Sequence, residues 1–231
     1  MAKKSKEAEK DEVIVDVEEV YSKTEDFINT NQNAILGFIG VAVAVIVGFY
    51  AYNKVYLGPL EEEAHGQMFM AEQYFQKDSF QLALNGDGGN YLGFLDVADE
   101  YGNTSAGNLA HYYAGICYLR TGDFEAAIEE LNSFDGAGEM LGAVALGATG
   151  DAYMELGEID EALNYYEKAV DANENDFTTP IYLQKAGLAA EKGGNFDKAI
   201  DYYTQVKENY PTSNEGRNAE KFIARAEANL N

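Results

Sequence analysis

Few side chains in this sequence have the types and the spacing that catalysis requires. The one cysteine, Cys117, follows His111 by six positions, so the two side chains lie on different faces of one helix. No third residue is placed to orient them as a nucleophile and its base. We therefore expect Cys117 to be a small core residue and His111 to pack between helices.

Two short segments imitate ligand-binding loops. Residues 86–91 (GDGGNY) offer glycines to a phosphate, but no strand precedes them and no Lys-Ser/Thr pair follows. Residues 171–176 begin like a calcium loop, yet Asp176 stands where that loop has glycine and Tyr182 where it has the bidentate glutamate. We predict a flexible loop at the first segment and no dedicated metal site at the second. With no cofactor site either, the sequence predicts a protein that is not an enzyme.

The charge of the chain argues against several classes of partner. The formal net charge is −24, and residues 53–231 hold 11 Lys and Arg against 31 Asp and Glu. Such a domain repels nucleic acid and anionic lipid headgroups, and nothing in it predicts a small-molecule substrate. The glutamates at 61–63 and 129–130 are expected to form solvated faces. A single cysteine allows no intramolecular disulfide, so packing alone must hold the domain together.

One apolar stretch organises the N-terminal part of the chain. Residues 34–52 carry no charge over 19 positions. A helix of that length, at about 1.5 Å per residue, nearly spans the roughly 30 Å hydrocarbon core of a bilayer. A cleaved signal peptide is disfavoured because 33 largely polar residues come first and no small-x-small cleavage site follows. We predict a transmembrane helix at 34–52.

Lysine counts on the two sides of this span predict its orientation. Five lysines precede it, whereas Lys54 is followed by no basic residue until Lys77. The sequence thus predicts a single-pass protein of a bacterial inner membrane, with residues 1–33 as a cytoplasmic tail and the C-terminal domain in the periplasm.

Two features of the tail and the span each have two interpretations. Residues 1–12 are Lys/Glu-rich and predicted to be disordered, and the recurrence of Val13, Val17, Val20 and Tyr21 indicates either a short amphipathic helix or plain linker. Gly40, Ala44 and Gly48 lie at i, i+4 and i+8 of the span. This stripe is either a surface for transmembrane packing or the ordinary composition of membrane helices.

Beyond Pro59 the sequence repeats itself every 35–37 residues. Four positions match in three successive units: a first glycine (Gly115, Gly150, Gly187), a second glycine (Gly122, Gly157, Gly194), an aromatic or isoleucine (Phe124, Ile159, Phe196) and an alanine (Ala127, Ala162, Ala199). The first glycine and the alanine are small where the two helices of a hairpin cross. The second glycine suits a left-handed turn, and the residue two positions on closes the base of the hairpin. A later large residue (Leu131, Tyr166, Tyr203) is expected to pack toward the next unit.

This pattern resembles the tetratricopeptide repeat, a helix–turn–helix unit of about 34 residues. Three units cover about residues 108–211, a weaker unit with an interruption at 85–90 precedes them, and an amphipathic helix at 218–230 provides the end cap. The predicted fold is therefore all-α: a transmembrane helix, a linker at 53–63, and at 64–231 an α-solenoid of about four repeats with a C-terminal capping helix.

The resemblance also implies where a ligand would lie, because this family usually binds in the concave groove formed by the first helix of each hairpin. The matching positions are Met68, Phe75, Tyr112, Ile116, Leu119, Arg120, Asp151, Met154, Glu155, Gln184 and Leu188. Apolar anchors with an acidic rim would suit a peptide that carries some positive charge. Alternatively, the groove is simply solvated or is filled by the protein's own end helix.

The whole layout resembles the YfgM-like family of bacterial inner-membrane proteins, and residues 112–128 (YYAGICYLRTGDFEAAI) look like a hairpin of that family. The resemblance implies a chaperone-like ancillary subunit of the Sec translocon. Its expected partners are translocon subunits, a membrane-anchored peptidyl-prolyl isomerase and secreted polypeptides. The alternative is a structural assembly factor for an envelope machine, such as outer-membrane protein insertion or a surface apparatus, with the span as a mere tether. A regulatory adaptor that signals through residues 1–33 is a third hypothesis.

Overall fold

The computed structural model describes residues 17–136, 138 and 140–230, with the backbone alone for residues 17–23. The predictions of disorder at 1–12 and of a role for Val13 lie outside the described residues. The chain divides into two units, Met1–Tyr56 and Leu57–Asn231, which are taken separately below. Within the described part the structure is all-helical and contains no strand, which confirms the predicted fold class.

The first unit is dominated by one long helix. Helix α1 runs over Val17–Ala51 and is followed by a π-helical segment, Tyr52–Leu57. The apolar part of this helical stretch is long enough and apolar enough to cross a membrane, by length and composition, and no residue of its most apolar window is buried. A Cβ added to Gly40 or Gly48 would meet no atom within 4 Å. Membrane packing through Gly40, Ala44 and Gly48 stays a prediction.

The second unit is a row of helical hairpins. The helices are α2 (Gly58–Phe75), α3 (Phe80–Asn85), α4 (Phe94–Glu100), α5 (Ser105–Thr121), α6 (Phe124–Ser133), α7 (Met140–Leu156), α8 (Ile159–Ala172), α9 (Thr179–Lys192), α10 (Phe196–Asn209) and α11 (Asn214–Asn229). Each packs chiefly on its neighbours in sequence, as in a solenoid. The stretch 53–63, predicted to be a linker, is helical, and the compact unit begins at Leu57.

The first glycine of each repeat lies where the two helices of a hairpin touch. A Cβ built on Gly115 would lie 2.5 Å from Cγ of Leu131, and one on Gly150 would lie 2.6 Å from Cε1 of Tyr166. The large residue therefore fills the space above the glycine of its own hairpin. It also packs toward the next unit, as predicted, since Leu131 clusters with Ala145 and Ala148 of α7 and Tyr166 with Tyr182 of α9. Tyr203 makes both contacts, since its ring also stacks on Phe222 of α11 at 5.3 Å between centroids.

The second glycine of each repeat forms the turn between the two helices. Gly122, Gly157 and Gly194 have φ of +86°, +80° and +78°, with open space where a side chain would be. A left-handed backbone costs glycine little, whereas it strains residues with a Cβ. The turns are therefore fixed by backbone conformation, and the hairpin crossings are fixed by volume.

The first hairpin departs from the regular pattern because its second helix is broken into α3 and α4. Between them, the Asp87 carboxylate accepts hydrogen bonds from the backbone amides of Gly89 (3.2 Å), Asn90 (2.8 Å) and Tyr91 (3.0 Å). These bonds lower the pKa of Asp87. The amides that a phosphate would need are thus used by the loop itself.

One carboxylate from each of the two glutamate clusters that the sequence assigned to solvated faces joins two helices instead. Glu61 of α2 accepts the backbone amides of Ser105 (2.7 Å) and Ala106 (2.9 Å), so it caps the N-terminus of α5. Glu130 of α6 lies 2.7 Å from Nδ1 of His111 on α5. The expectation of solvated faces is therefore wrong for these two carboxylates, which have partners on another helix.

Candidate peptide-binding groove

A concave groove of about 880 Å³ opens along one side of the repeat unit. Its walls come mainly from α5, α7 and α9, the first helices of three successive hairpins. The predicted groove residues that line it are Tyr112, Ile116, Leu119, Arg120, Asp151, Met154, Glu155 and Leu188. The structure thus brings eight of the eleven predicted positions to one surface.

The other three predicted residues lie elsewhere. Met68 is only 2% exposed and belongs to the core of the first hairpin. Phe75 makes edge-to-face contacts with Phe80 at 5.8 Å and Tyr113 at 5.1 Å. Both residues face inward because α2 packs against α3, α4 and α5 at once. Gln184 lies outside the lining, since α9 turns its neighbour Lys185 toward the cavity.

An ion pair lies in the wall of the groove. The Lys185 Nζ donates to both carboxylate oxygens of Asp151, at 2.7 and 2.6 Å, and the Tyr166 hydroxyl donates to Asp151 at 2.8 Å. Burial, followed by the nearby Asp151 carboxylate, raises the pKa of Tyr166, which keeps its hydroxyl protonated as a donor.

The charges of the lining do not form the acidic rim that the sequence predicted. Arg120 and Lys185 balance Asp151 and Glu155, so the described lining is formally neutral. The strongly acidic character of the domain therefore lies outside the groove. Apart from Thr121, the remaining lining is apolar or aromatic and includes Ile116, Leu119, Val144, Met154, Leu188 and the rings of Phe124 and Tyr182.

Helix α11 closes the end of the helical stack. Its Arg225 binds Glu191 of α9, with Nη2 at 2.7 Å from Oε2, and it packs on α10 and α9. The residues that line the described cavity come from α5 to α9, so α11 lies beyond the cavity wall. The capping helix thus leaves the central groove open.

The candidate chemical groups occupy structural positions. Cys117 is fully buried, and this burial raises the pKa of its thiol to about 12. In the calcium-like segment, the Asn175 side chain accepts the amides of Phe177 and Thr178, both at 2.8 Å, and so shapes the turn before α9. Among the residues that the structure describes, no three His, Cys, Asp or Glu side chains are grouped to hold a metal ion.

Sequence reasoning missed several lining residues, above all Lys185 and Tyr182. Relative to the first glycine of its repeat, Lys185 occupies position −2, as Ala148 does one repeat earlier, and both line the groove. The sequence prediction assigned positions −3, +1, +4 and +5, counted from the same glycine, to the groove. A lysine surrounded by small and apolar residues on a first helix was the available signal. Tyr182 reaches the groove because Gly147 of α7, against which its ring lies, has no side chain.

The stacked hairpins and their concave face define an α-solenoid of helix–turn–helix repeats. Residues 94–139 and 148–214 match the family model for the tetratricopeptide repeat. These segments of the chain are therefore tetratricopeptide repeats, as the sequence pattern predicted.

Similar proteins support this assignment. The photosystem I assembly proteins Ycf3 of two Prochlorococcus marinus strains, MIT 9303 and MIT 9313, are each 31% identical over 123 residues. That alignment covers 44% of this chain and 66% of each relative, so the chain spans just under two thirds of their length. Two crystal structures of nearly identical TPR-like repeats from a Podosopora anserina protein described as a putative kinesin light chain superpose with a TM-score of 0.56. The superposition covers 73% of this chain and 86–87% of the Podosopora chains. At 15% sequence identity, this similarity shows the fold alone.

Proposed function

We propose that this protein is a membrane-anchored, non-enzymatic scaffold with a chaperone-like role, which binds segments of protein partners in its concave groove. The observation that carries the proposal is the groove itself, an open surface of mixed apolar and polar side chains that three successive first helices build. Such surfaces bind through apolar anchors surrounded by a polar rim.

The proposed place of action is the outer face of a bacterial inner membrane. The apolar helix and the lysine bias around it support an N-terminus in the cytoplasm and a repeat domain in the periplasm. The resemblance to the YfgM-like family extends the proposal to an ancillary subunit of the Sec translocon. Its partners would be translocon subunits, a membrane-anchored peptidyl-prolyl isomerase and secreted polypeptides.

A second candidate function is that of an assembly factor, for which the anchor is only a tether. The similarity to two photosystem I assembly proteins favours it, because their names describe assembly proteins. For this chain the proposed object of assembly is an envelope machine, such as outer-membrane protein insertion or a surface apparatus.

Exchanging the anchor separates the two candidates. Residues 34–52 are replaced by an unrelated membrane span, and in a second variant Gly40, Ala44 and Gly48 are changed to Leu. A translocon subunit that docks through this stripe is expected to lose co-purification with the channel in both variants. If both variants still co-purify with the channel, docking through the span is excluded. A tethered assembly factor is expected to keep its function after the exchange.

Site-specific crosslinking in intact cells tests the groove. A photo-crosslinker at Leu119 or Met154 faces the groove, whereas one at Asn164 of α8 is exposed outside it. We expect secreted polypeptides or envelope proteins to be captured from the first two positions and not from the third. Equal capture from Asn164 would show that partners do not use the groove.

A further inference from the structure

The ion pair in the groove has a position and a geometry that bear on which segments the groove accepts. Asp151 and Lys185 belong to adjacent first helices, α7 and α9, and both line the cavity. Their side chains are about one third exposed, 33% and 34%, so the pair faces the space that a ligand would fill. Each charged group is partly solvated and also bound to a partner in the protein.

The Asp151 carboxylate and the Lys185 ammonium neutralise each other. Asp151 accepts two bonds from the Lys185 ammonium and one from the Tyr166 hydroxyl. The ammonium also lies 5.9 Å from the ring centroids of both Tyr166 and Tyr182, which is within the range of a cation–π contact. Lys185 thus occupies the place that a ligand's cationic side chain would take beside Asp151.

The pair itself leaves a charged ligand no unpartnered group, and the other two charged residues of the lining, Arg120 and Glu155, have opposite signs. Apolar side chains, among them Ile116, Val144 and Met154, line the same cavity. A cation placed here would have to displace Lys185, and an anion would have to displace Asp151. Each exchange leaves one charge desolvated and without its partner, which is costly in a partly buried site.

We propose that the groove selects segments that are uncharged and apolar where they cross the Asp151–Lys185 pair, with Lys185 acting as a built-in counter-ion that closes Asp151 to basic side chains. This inference rests on the proposed function, since it concerns the same groove. It replaces the preference for positively charged peptides that the acidic composition suggested. Exposed stretches of unfolded polypeptide are the partner class with this chemistry.

The test measures binding of three matched peptides to the full chain in lipid nanodiscs. The peptides have blocked ends and one shared uncharged frame, and they differ only in a central Leu, Lys or Glu. Empty nanodiscs correct for partition into lipid, and near-physiological salt limits long-range attraction to about 8 Å. For the natural sequence we expect the Leu peptide to bind at least about tenfold more tightly than the other two, the ratio that 1.4 kcal/mol represents.

Two substitutions should change this preference in opposite directions. Lys185→Met leaves Asp151 without its counter-ion, so the Lys peptide should gain about tenfold in affinity. Asp151→Asn leaves Lys185 free, so the Glu peptide should gain instead. The double variant D151N/K185M carries no charge at the pair and should again prefer Leu. It also shows whether the single variants fail for lack of folding.

Lys198→Met is the matched control. It removes a similar pair, Lys198 Nζ to Glu167 Oε1 at 2.9 Å, between α8 and α10 and outside the groove lining. The order of the three affinities should stay as in the natural sequence. If no peptide binds the natural protein, the proposed function fails. If peptides bind but the Lys peptide is preferred from the start, or gains nothing from Lys185→Met, the inference is overturned while the groove remains a binding site.

Discussion

The substitution of Gly150 by Ala tests whether the hairpin crossings are as tight as the structure has them. Gly150 lies in the middle of α7, and a Cβ at this position would be 2.6 Å from Cε1 and 2.7 Å from Cδ1 of Tyr166. The tyrosine is 3% exposed and its hydroxyl is bound to Asp151, so the ring has little freedom to move away. To restore ordinary carbon–carbon contact it would have to shift by about 0.8 Å.

Two opposing effects determine how much Gly150→Ala changes the free energy of unfolding. Overpacking of a close-packed core typically costs about 1–3 kcal/mol. Replacing glycine by alanine in a helix interior returns about 1 kcal/mol through backbone entropy and helix propensity. The expected net change is therefore a destabilisation of up to about 2 kcal/mol. At a urea dependence of about 2 kcal/mol per M, the unfolding midpoint would fall by up to about 1 M.

Gly66→Ala is the matched control, because Gly66 lies inside α2 with no atom within 4 Å of the added Cβ. It should stabilise the protein by about 0.5–1 kcal/mol. Urea unfolding of the unit Leu57–Asn231 can be followed by circular dichroism and by tyrosine fluorescence, since the chain has no tryptophan. Equal midpoint shifts for the two variants would refute the tight crossing at Gly150.

Three further changes have defined outcomes. Glu61→Ala removes the cap on the amides of Ser105 and Ala106, so urea unfolding should show a loss of about 1–2 kcal/mol; a matching loss in the exposed control Glu62→Ala would contradict this origin. Burial raises the pKa of the Cys117 thiol from 9.0 to about 12, so the folded state holds this proton more tightly than the unfolded state. The stability that the protonated thiol contributes is therefore fully present below about pH 9 and is lost as the pH rises toward about 12. The urea midpoint should fall between about pH 9 and pH 10.5, and it should fall less in Cys117→Ala. An equal fall in that variant would rule out the thiol as a source. The double variant Val43→Lys, Ile46→Lys adds two charges to the apolar part of α1, and each charge costs about 2.5–3.5 kcal/mol at a membrane centre. It should release the protein from carbonate-washed membranes, whereas the control Gln67→Lys should not. Retention of the double variant would argue against a span at 34–52.

The repeat pattern could be recognised from the sequence because each matched position has one local task. A turn that needs a left-handed residue selects glycine at 122, 157 and 194, and such a requirement can be read without knowing what lies nearby. The partner of the first glycine could not be read in this way. Gly150 shows that something large must lie close, but that it is Tyr166 of the same hairpin depends on the crossing of α7 and α8.

The groove was predicted less completely because its lining depends on the rotation of each helix. Positions +1 and +4 relative to the first glycine line it in α5 and α7, and both follow directly from helical periodicity. In the first hairpin the same counting failed, because the broken second helix turns Met68 and Phe75 into the core. Lys185 was missed because its neighbour Gln184, one position earlier, was assigned to the same face.

Polar contacts between neighbouring repeats recur near one repeat length, and this regularity offers a way to read such pairs from sequence. The separation is 34 residues for Asp151–Lys185 and for Glu191–Arg225, 35 for Glu167–Tyr202 and 36 for Glu174–Tyr210. In a solenoid each repeat touches only its neighbours, so residues one period apart lie side by side on parallel helices.

The irregular first repeat obeys the same rule. Its loop lengthens the spacing from Ala83 to Ala127 to 44 residues, and the bond from Ser105 to Glu61 also spans 44 residues. A search for acceptor and donor side chains one local period apart would therefore have found the Asp151–Lys185 pair. It would also have corrected the predicted charge of the groove, because an aspartate with a lysine one period away is neutralised before any ligand arrives.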